Sequence, residues 1–240
     1  MTTHYAKHAT NEEIKVRFDS SVERFSNLET GQQTTIDAPL MMDLCTDAAA
    51  MVNPQAKELL DIGCGAGNYT LKMLQKVPHL NCTLNDLSLP MLQKARERIA
   101  PITQGSVTLI QDDMRNMQLP DGHFDIVLAA TTLHHLRGDA DWMLMFKKVF
   151  ALLKDGGSFW VSDLITHDTA AINSLFRQKY GRYLEALGGA DYCKQVWEYV
   201  EFEDTPRSLN YQLGLLGKVG FRSIEILHKN AVFAAFGGVK

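Results

Sequence analysis

The stretch LLDIGCGAGN over residues 59–68 places three glycines at alternate positions, with Asp61 two positions before the first. An apolar run ends at Ile62 and a helical pattern opens near Asn68, so the glycines sit in a strand-to-helix turn. Glycine lets the backbone turn sharply and lets a ligand touch it with no Cβ in the way. The spacing is GxGxG, not the GxGxxG of dinucleotide enzymes, whose pyrophosphate rests on the helix N-terminus. Asp61 would repel a pyrophosphate but suits an ammonium group, which favours an amino-acid-bearing nucleoside over NAD. Asp86 lies 19 residues after Gly67 at the end of the next apolar run, where a carboxylate can accept both ribose hydroxyls. The competing reading is that Asp86 caps the helix beside it. Asp112 and Asp113 end a third apolar run. Three acidic positions at successive strand ends therefore converge on one crevice.

Proton-transfer chemistry has three candidates: His134 and His135, just beyond a fourth apolar run, and Asp163 at the end of a fifth. Imidazoles titrate near neutrality, so either histidine suits a general base, and a structural role is the alternative for both. Asp163 either touches substrate or caps the next segment. Adjacent histidines diverge on a strand or a helix, so no metal is assigned. His123, in the Asp121-Gly122 turn, reads as solvated.

These residues must be carried by a sheet. Strand-like runs occupy residues 58–62, 82–85, 107–110, 124–130 and 158–164, and helical patterns occupy 68–77, 88–99 and 139–153. That alternation predicts βαβ units and a doubly wound, mostly parallel sheet. Lys154-Asp155-Gly156-Gly157 reads as a helix stop with a left-handed glycine, and Ser88 with Pro90 as a helix start. Runs at 221–227 and 231–236, joined by His228-Lys229-Asn230, predict an antiparallel hairpin. The expected organisation is a single domain over 1–240, with a helical cap at 1–56 that is amphipathic near 38–52. A core follows at 57–164, then a helical insertion at 165–207, then a last helix and hairpin at 208–240. The stretch 176–202 holds 7 of the chain's 21 aromatic residues, which suits either a lid over an organic substrate or a subdomain with its own small core.

Composition narrows the function classes. With 45% hydrophobic and 22% charged residues, the chain is neither disordered nor a disulfide scaffold. A net charge of −4 and the lack of a basic stripe argue against nucleic acid as a partner. Four widely spaced cysteines suggest neither a zinc knuckle nor a redox dithiol. The polar N-terminus and the absence of long apolar runs predict no leader and no membrane span, hence a cytoplasmic protein.

The segments LLDIGCGAGNYT, NDLS, QDDMRNMQLPDGHFDIVLAATTLHHL and LLKDGGSFWVSDL resemble the class I S-adenosylmethionine-dependent methyltransferases that act on small molecules. The likeness covers residues 59–164, and GKVGFRSIEI with AVFAAFGG matches the family's ending more loosely. The resemblance implies a Rossmann-like seven-stranded sheet with an antiparallel C-terminal hairpin, and S-adenosyl-L-methionine as cofactor. It implies that Asp61, Gly63, Gly65 and Gly67 line the methionine portion and that Asp86 holds the ribose. Leu87 would lie against the adenine, Asp113 would accept its amino group with the Met114 backbone beside it, and Ala130 would lie under the sulfonium. Asp112 stands where the family often has glycine, which leaves open which aspartate reaches adenine. The expected partner is a small-molecule methyl acceptor, and the expected assembly a monomer or homodimer. In-line transfer to that acceptor rests mainly on positioning. Pro206-Arg207-Ser208 and the ending FAAFGGVK resemble carboxy-S-adenosylmethionine synthases, whose glycine loop differs. That near variant and a non-catalytic S-adenosylmethionine-binding module are the alternatives.

Overall fold

Runs of Leu, Ile and Val become strands here because helices cover both of their faces, the condition a parallel sheet requires. In a computed structural model that describes residues 8–27 and 31–240, seven strands form one sheet. They are β1 (Glu58–Ile62), β2 (Asn81–Asp86), β3 (Val107–Gln111), β4 (Phe124–Ala130), β5 (Leu153–Leu164), β6 (Ser223–Asn230) and β7 (Phe233–Val239). Their order is β3-β2-β1-β4-β5-β7-β6, with β5–β7 and β6–β7 antiparallel and the other pairs parallel. The chain runs outward from β1 to β3 and then returns to place β4 beside β1. Ligands in such sheets bind at that reversal, outside the strands' carboxyl ends. Residues 1–7, part of the stretch read above as leaderless, lie outside the described residues.

Eight helices are described: α1 (Asn11–Asp19), α2 (Val22–Ser26), α3 (Ala38–Val52), α4 (Asn68–Leu74), α5 (Leu89–Ile99), α6 (Asp139–Leu152), α7 (Ala170–Glu203) and α8 (Leu209–Val219). One apolar layer joins α3, α4, α5 and α7 to the sheet, and the other packs α6 and α8 on its opposite face. Ser88 caps α5 by accepting from the Met91 N–H, with Pro90 in the first turn as expected. Among the described residues, no helix is long and apolar enough to cross a membrane.

Three local expectations differ. α6 ends at Leu152, and Leu153 is already extended (φ −74°, ψ 141°), so Gly156 (φ 77°) bends the start of β5 and does not cap a helix. α4 stops at Leu74, three residues early. Residues His228, Lys229 and Asn230 pair with β7, and the hairpin turns at Ala231-Val232, with Ala231 at φ 48°.

The 165–207 insertion is α7, broken at Gly189, where φ is 85° and ψ 178°. Tyr180 is buried; its hydroxyl donates to the Thr34 carbonyl at 2.8 Å and its ring packs edge-on to Phe233 and Trp197. The aromatic stretch thus builds a small core that is continuous with the main one.

β7 is tightly packed at Gly237, where a Cβ would sit 2.2 Å from the Phe159 carbonyl oxygen and 2.4 Å from the Trp160 ring. Neither atom belongs to a flexible tip. Gly237→Ala should lower stability by on the order of 2 kcal/mol, read as a reduced urea midpoint at unchanged slope.

Candidate functional site

The turn between β1 and α4 is built by glycines with distinct duties. Gly65 has φ 50° and a Cβ there would meet nothing within 4 Å, so this backbone faces open space. Gly63 backs onto Thr132, whose Oγ1 a Cβ would approach to 2.2 Å. Gly67 (φ 81°) presses on α5, where a Cβ would meet Ile99 Cδ1 at 2.7 Å. The sequence reading grouped all three with the ligand; Gly67 is instead the contact that seats one helix against the other.

Asp86, at the tip of β2, accepts from the Gly65 N–H at 2.8 Å and the Ser88 N–H at 2.9 Å. Burial raises its pKa, and those backbone donors oppose the rise. Asp61, at 1% exposure, accepts from the Thr70 hydroxyl at 2.7 Å. Burial pushes its carboxyl up to about 7; the Asp86 charge adds to this and the Thr70 bond works against it. An ammonium placed beside Asp61 would reverse that shift.

These groups open onto a cavity of about 970 Å³, counting the space at its mouth. Asp61, Gly63, Gly65, Asp86, Leu87, Asp113, Met114 and Ala130 line it; Gly67 does not. Asp112 lines it too, and its Oδ1 accepts from the Asp113 N–H at 2.8 Å. Burial raises the Asp113 pKa but its bonds to Arg115 outweigh that and hold the carboxyl low. Asn11 Nδ2 also reaches Asp113, at 2.5 Å. Ile14, Phe18 and Phe25 of the N-terminal helices also line it, with Asn68 Nδ2 donating to the Phe25 carbonyl at 3.0 Å.

A second chamber of about 670 Å³ shares Phe18, Phe25, Gln32 and Thr131 with the first. Its walls mix aromatic rings, among them Tyr180, Tyr199 and Phe233, with polar and charged groups that include Arg17, His134 and Asp204. The three proton-transfer candidates separate here. His135 lines the first cavity and His134 the second, whereas Asp163 lines neither. Asp163 is buried and accepts from the Leu133 N–H at 2.8 Å, from the Leu164 N–H at 2.7 Å and from His134 Nδ1. Burial alone would lower the His134 pKa, but the Asp163 and Asp204 charges raise it to about 9. Burial and the neighbouring His134 charge push His135 well below the usual histidine range. The expected divergence of the two rings does not occur. They sit on a 3₁₀ turn, Leu133–His135, with centroids 4.4 Å apart.

Several lining residues carry no signal of their own in the sequence. Phe18 and Phe25 reach the cavity only through tertiary packing. Tyr69 lines it from the first turn of α4. Thr131, at φ 49°, could have been anticipated, because it directly follows a parallel strand at the ligand-binding pole.

Residues 59–157 match the family model described as a methyltransferase domain. The chain is 27% identical over 150 residues to demethylmenaquinone methyltransferase from Listeria monocytogenes serotype 4a, a match covering 62% of each chain. It is 26% identical over 197 residues to carboxy-S-adenosyl-L-methionine synthase from Cronobacter sakazakii, covering 80% of this chain and 78% of the other. Among solved structures, Burkholderia thailandensis 1,6-didemethyltoxoflavin-N1-methyltransferase superposes with TM-score 0.64 at 17% identity, covering 98% of this chain and 92% of that one. The match therefore spans less than two thirds of the demethylmenaquinone methyltransferase's length, and the structural likeness bears on the fold alone.

Asp163 ties the loop after β4 to the end of β5 from a buried position. Asp163→Ala would leave buried donors and an imidazole without their acceptor, and should lower unfolding free energy by about 3 kcal/mol in a urea titration.

Proposed function

We propose, on the premise that the chain belongs to the class I S-adenosylmethionine-dependent methyltransferase family, that it methylates a small-molecule acceptor. The observation that carries this reading is the pair of adjoining chambers at the carboxyl rim of the sheet, the first holding Asp61, Asp86, Asp113 and the bare backbone of Gly65, the second holding Tyr180, Tyr199 and Phe233 beside polar groups. Two ligands of different chemistry can meet at the shared wall.

The donor-set chemistry of the first chamber fits S-adenosyl-L-methionine. Asp86 would take the ribose hydroxyls on its remaining lone pairs, and Asp61 the ammonium. Leu87 and Met114 would flank the adenine, Asp113 or Asp112 would accept its amino group, and Ala130 would lie beneath the sulfur. Gly63 and Gly65 keep Cβ atoms out of the methionine portion, while Gly67 supports them from behind. The bound cofactor supplies an activated methyl on a sulfonium, so the protein need not generate an electrophile. What remains is to align a nucleophile with the S–CH₃ bond and exclude water, work for which positioning provides roughly 7–11 kcal/mol. Phe18 and Phe25, which line both chambers, and the rings of Tyr180, Tyr199 and Phe233 serve that end. His135, as the neutral imidazole facing the first cavity, is the candidate to take an acceptor proton, whereas His134 and Asp163 act as positioning residues. Relatives named for demethylmenaquinone and 1,6-didemethyltoxoflavin support a small acceptor and do not specify which. Four free, buried cysteines suit the reducing cytoplasm we assign, and a monomer or homodimer suffices for the site.

A carboxyl-modified donor is the second reading. The carboxy-S-adenosyl-L-methionine synthase match extends beyond the core through most of the chain. Mass spectrometry of the ligand that co-purifies with the protein separates the two, because a carboxymethyl sulfonium is heavier than a methyl one.

Two titrations test the site. Asp86→Ala should weaken S-adenosylmethionine binding by at least about 10-fold in calorimetry, from the loss of charge-assisted hydrogen bonds. The native protein should bind the cofactor more weakly as pH falls from 8 to 6, because Asp61, with its pKa near 7, loses the charge that meets the ammonium. In Asp61→Asn the affinity should be low and flat across that range.

A further inference from the structure

We propose that His134 Nε2, His135 Nδ1 and Asp204 Oδ1 form a binding site for a divalent first-row transition-metal ion. The 3₁₀ turn after β4 presents both imidazoles, and Asp204, immediately after α7, brings its carboxylate to them. His134 Nε2 stands 3.6 Å and His135 Nδ1 3.3 Å from the same Asp204 Oδ1, and the three residues each bring a ligand atom within 4.8 Å of the others. Ligands about 2.1 Å from a tetrahedral ion are separated by ~3.4 Å, so these edges have the size of a coordination polyhedron. The His134–Asp204 separation is longer than a direct hydrogen bond would be.

The donors are also held in place. The Thr205 N–H donates to the His134 carbonyl at 2.7 Å, Thr205 Oγ1 donates to the Leu136 carbonyl, and Arg137 Nη1 donates to the Glu203 carbonyl at 2.7 Å. The end of α7 is thereby fastened to the histidine turn. Asp163 engages His134 Nδ1, which leaves Nε2 for a metal; carboxylate–histidine–metal relays have this arrangement. His135 Nε2 is buried with no hydrogen-bond partner among the described residues, so this ring is oriented only from its Nδ1 side, where the Glu203 carbonyl also lies at 3.5 Å. Two imidazoles and one carboxylate suit zinc or iron(II), with coordination left over for another ligand. His135 lines the first cavity while His134 and Asp204 line the second, so the open position faces the wall that the chambers share. On binding, the ion takes the place of the His134 Nε2 proton, which leaves to solvent, and engages the Nδ1 lone pair of His135 in the tautomer that carries its single proton on Nε2. With the ion on Nδ1, His135 has no lone pair left to take a proton, so in the loaded protein the ion polarises an acceptor oxygen in place of His135 acting as base; that use rests on the methyl-transfer reading, and the site itself does not.

The experiment titrates metal-free native protein with Co²⁺ and Zn²⁺, following Co²⁺ ligand-field absorption and bound metal by mass spectrometry. Calorimetry with S-adenosylmethionine runs on the same samples. One equivalent of Co²⁺ with the intense bands of low-symmetry coordination is expected, absent in His135→Gln and in Asp204→Asn. Asp163→Asn should retain the site with Zn²⁺ affinity weakened about 10–100-fold. Native protein that takes up no metal, or variants that bind as much as native, would overturn the proposal. Should the variants unfold, X-ray absorption of the Zn²⁺-loaded native protein decides, with two imidazoles and a carboxylate supporting the site and any other ligand set refuting it. Cofactor binding that persists without metal uptake removes the metal site alone, and metal uptake without cofactor binding removes only the methyl-transfer reading.

Discussion

The two hydrogen bonds that the Asp86 carboxylate accepts from the Gly65 and Ser88 amides hold the rim of this sheet in one shape. They tie the strand-to-helix turn after β1 to the tip of β2, and the Cys64 N–H adds a 2.9 Å bond to the Asn85 carbonyl. Burying a carboxylate is unfavourable unless strong donors meet it, and backbone amides are donors that no rotamer change can remove. The turn is therefore shaped before any ligand arrives. Gly65 can leave its backbone bare only because that shape does not depend on a side chain of its own.

The second organising feature is a concentration of buried charge behind the loop after β4. Asp163, Asp204 and Glu203 are buried there with His134, and Arg17 reaches Glu203 at 2.5 Å from the covering helix α1. Low dielectric makes each unmatched charge expensive, so such a network is tolerated where geometry must be unique. It joins four pieces distant in sequence: α1, the β4 loop, the end of β5 and the end of α7. Movement of any one of them would be felt at the wall between the chambers.

Much of this was legible in residue order because it is local. β1 and β4 begin and end where their apolar runs do, and the Ser88-Pro90 signal marks α5. Asp61, Asp86 and Asp113 could be placed together because parallel strands bring their carboxyl ends to one pole. What failed was information that resides in the third dimension. A glycine at the end of a helix and one at the bent start of a strand look alike, so Gly156 reads as a helix stop in the sequence although it lies in β5. Spacing alone cannot separate Gly65, which faces space, from Gly67, which faces Ile99. The histidine rings come together because a 3₁₀ turn has neither the helical nor the strand period on which their divergence was argued. Asp204 and Phe18 reach their neighbours across long separations, with no pattern in the sequence to signal it.

The position of β7 has a bearing on how the molecule is made. It lies between β5 and β6, so the interior of the sheet is completed by residues 233–239, which are synthesised after both of its neighbours. While a ribosome is still producing α7 and α8, β5 presents a bare row of peptide groups, and β6 emerges with nothing beside it to join. Native pairing across that gap links positions as far apart as Ser158 and Val239, so closure is a slow, non-local event. Until then the half-finished sheet carries an adhesive margin, and an unfinished chain of this protein would be a natural client for a chaperone.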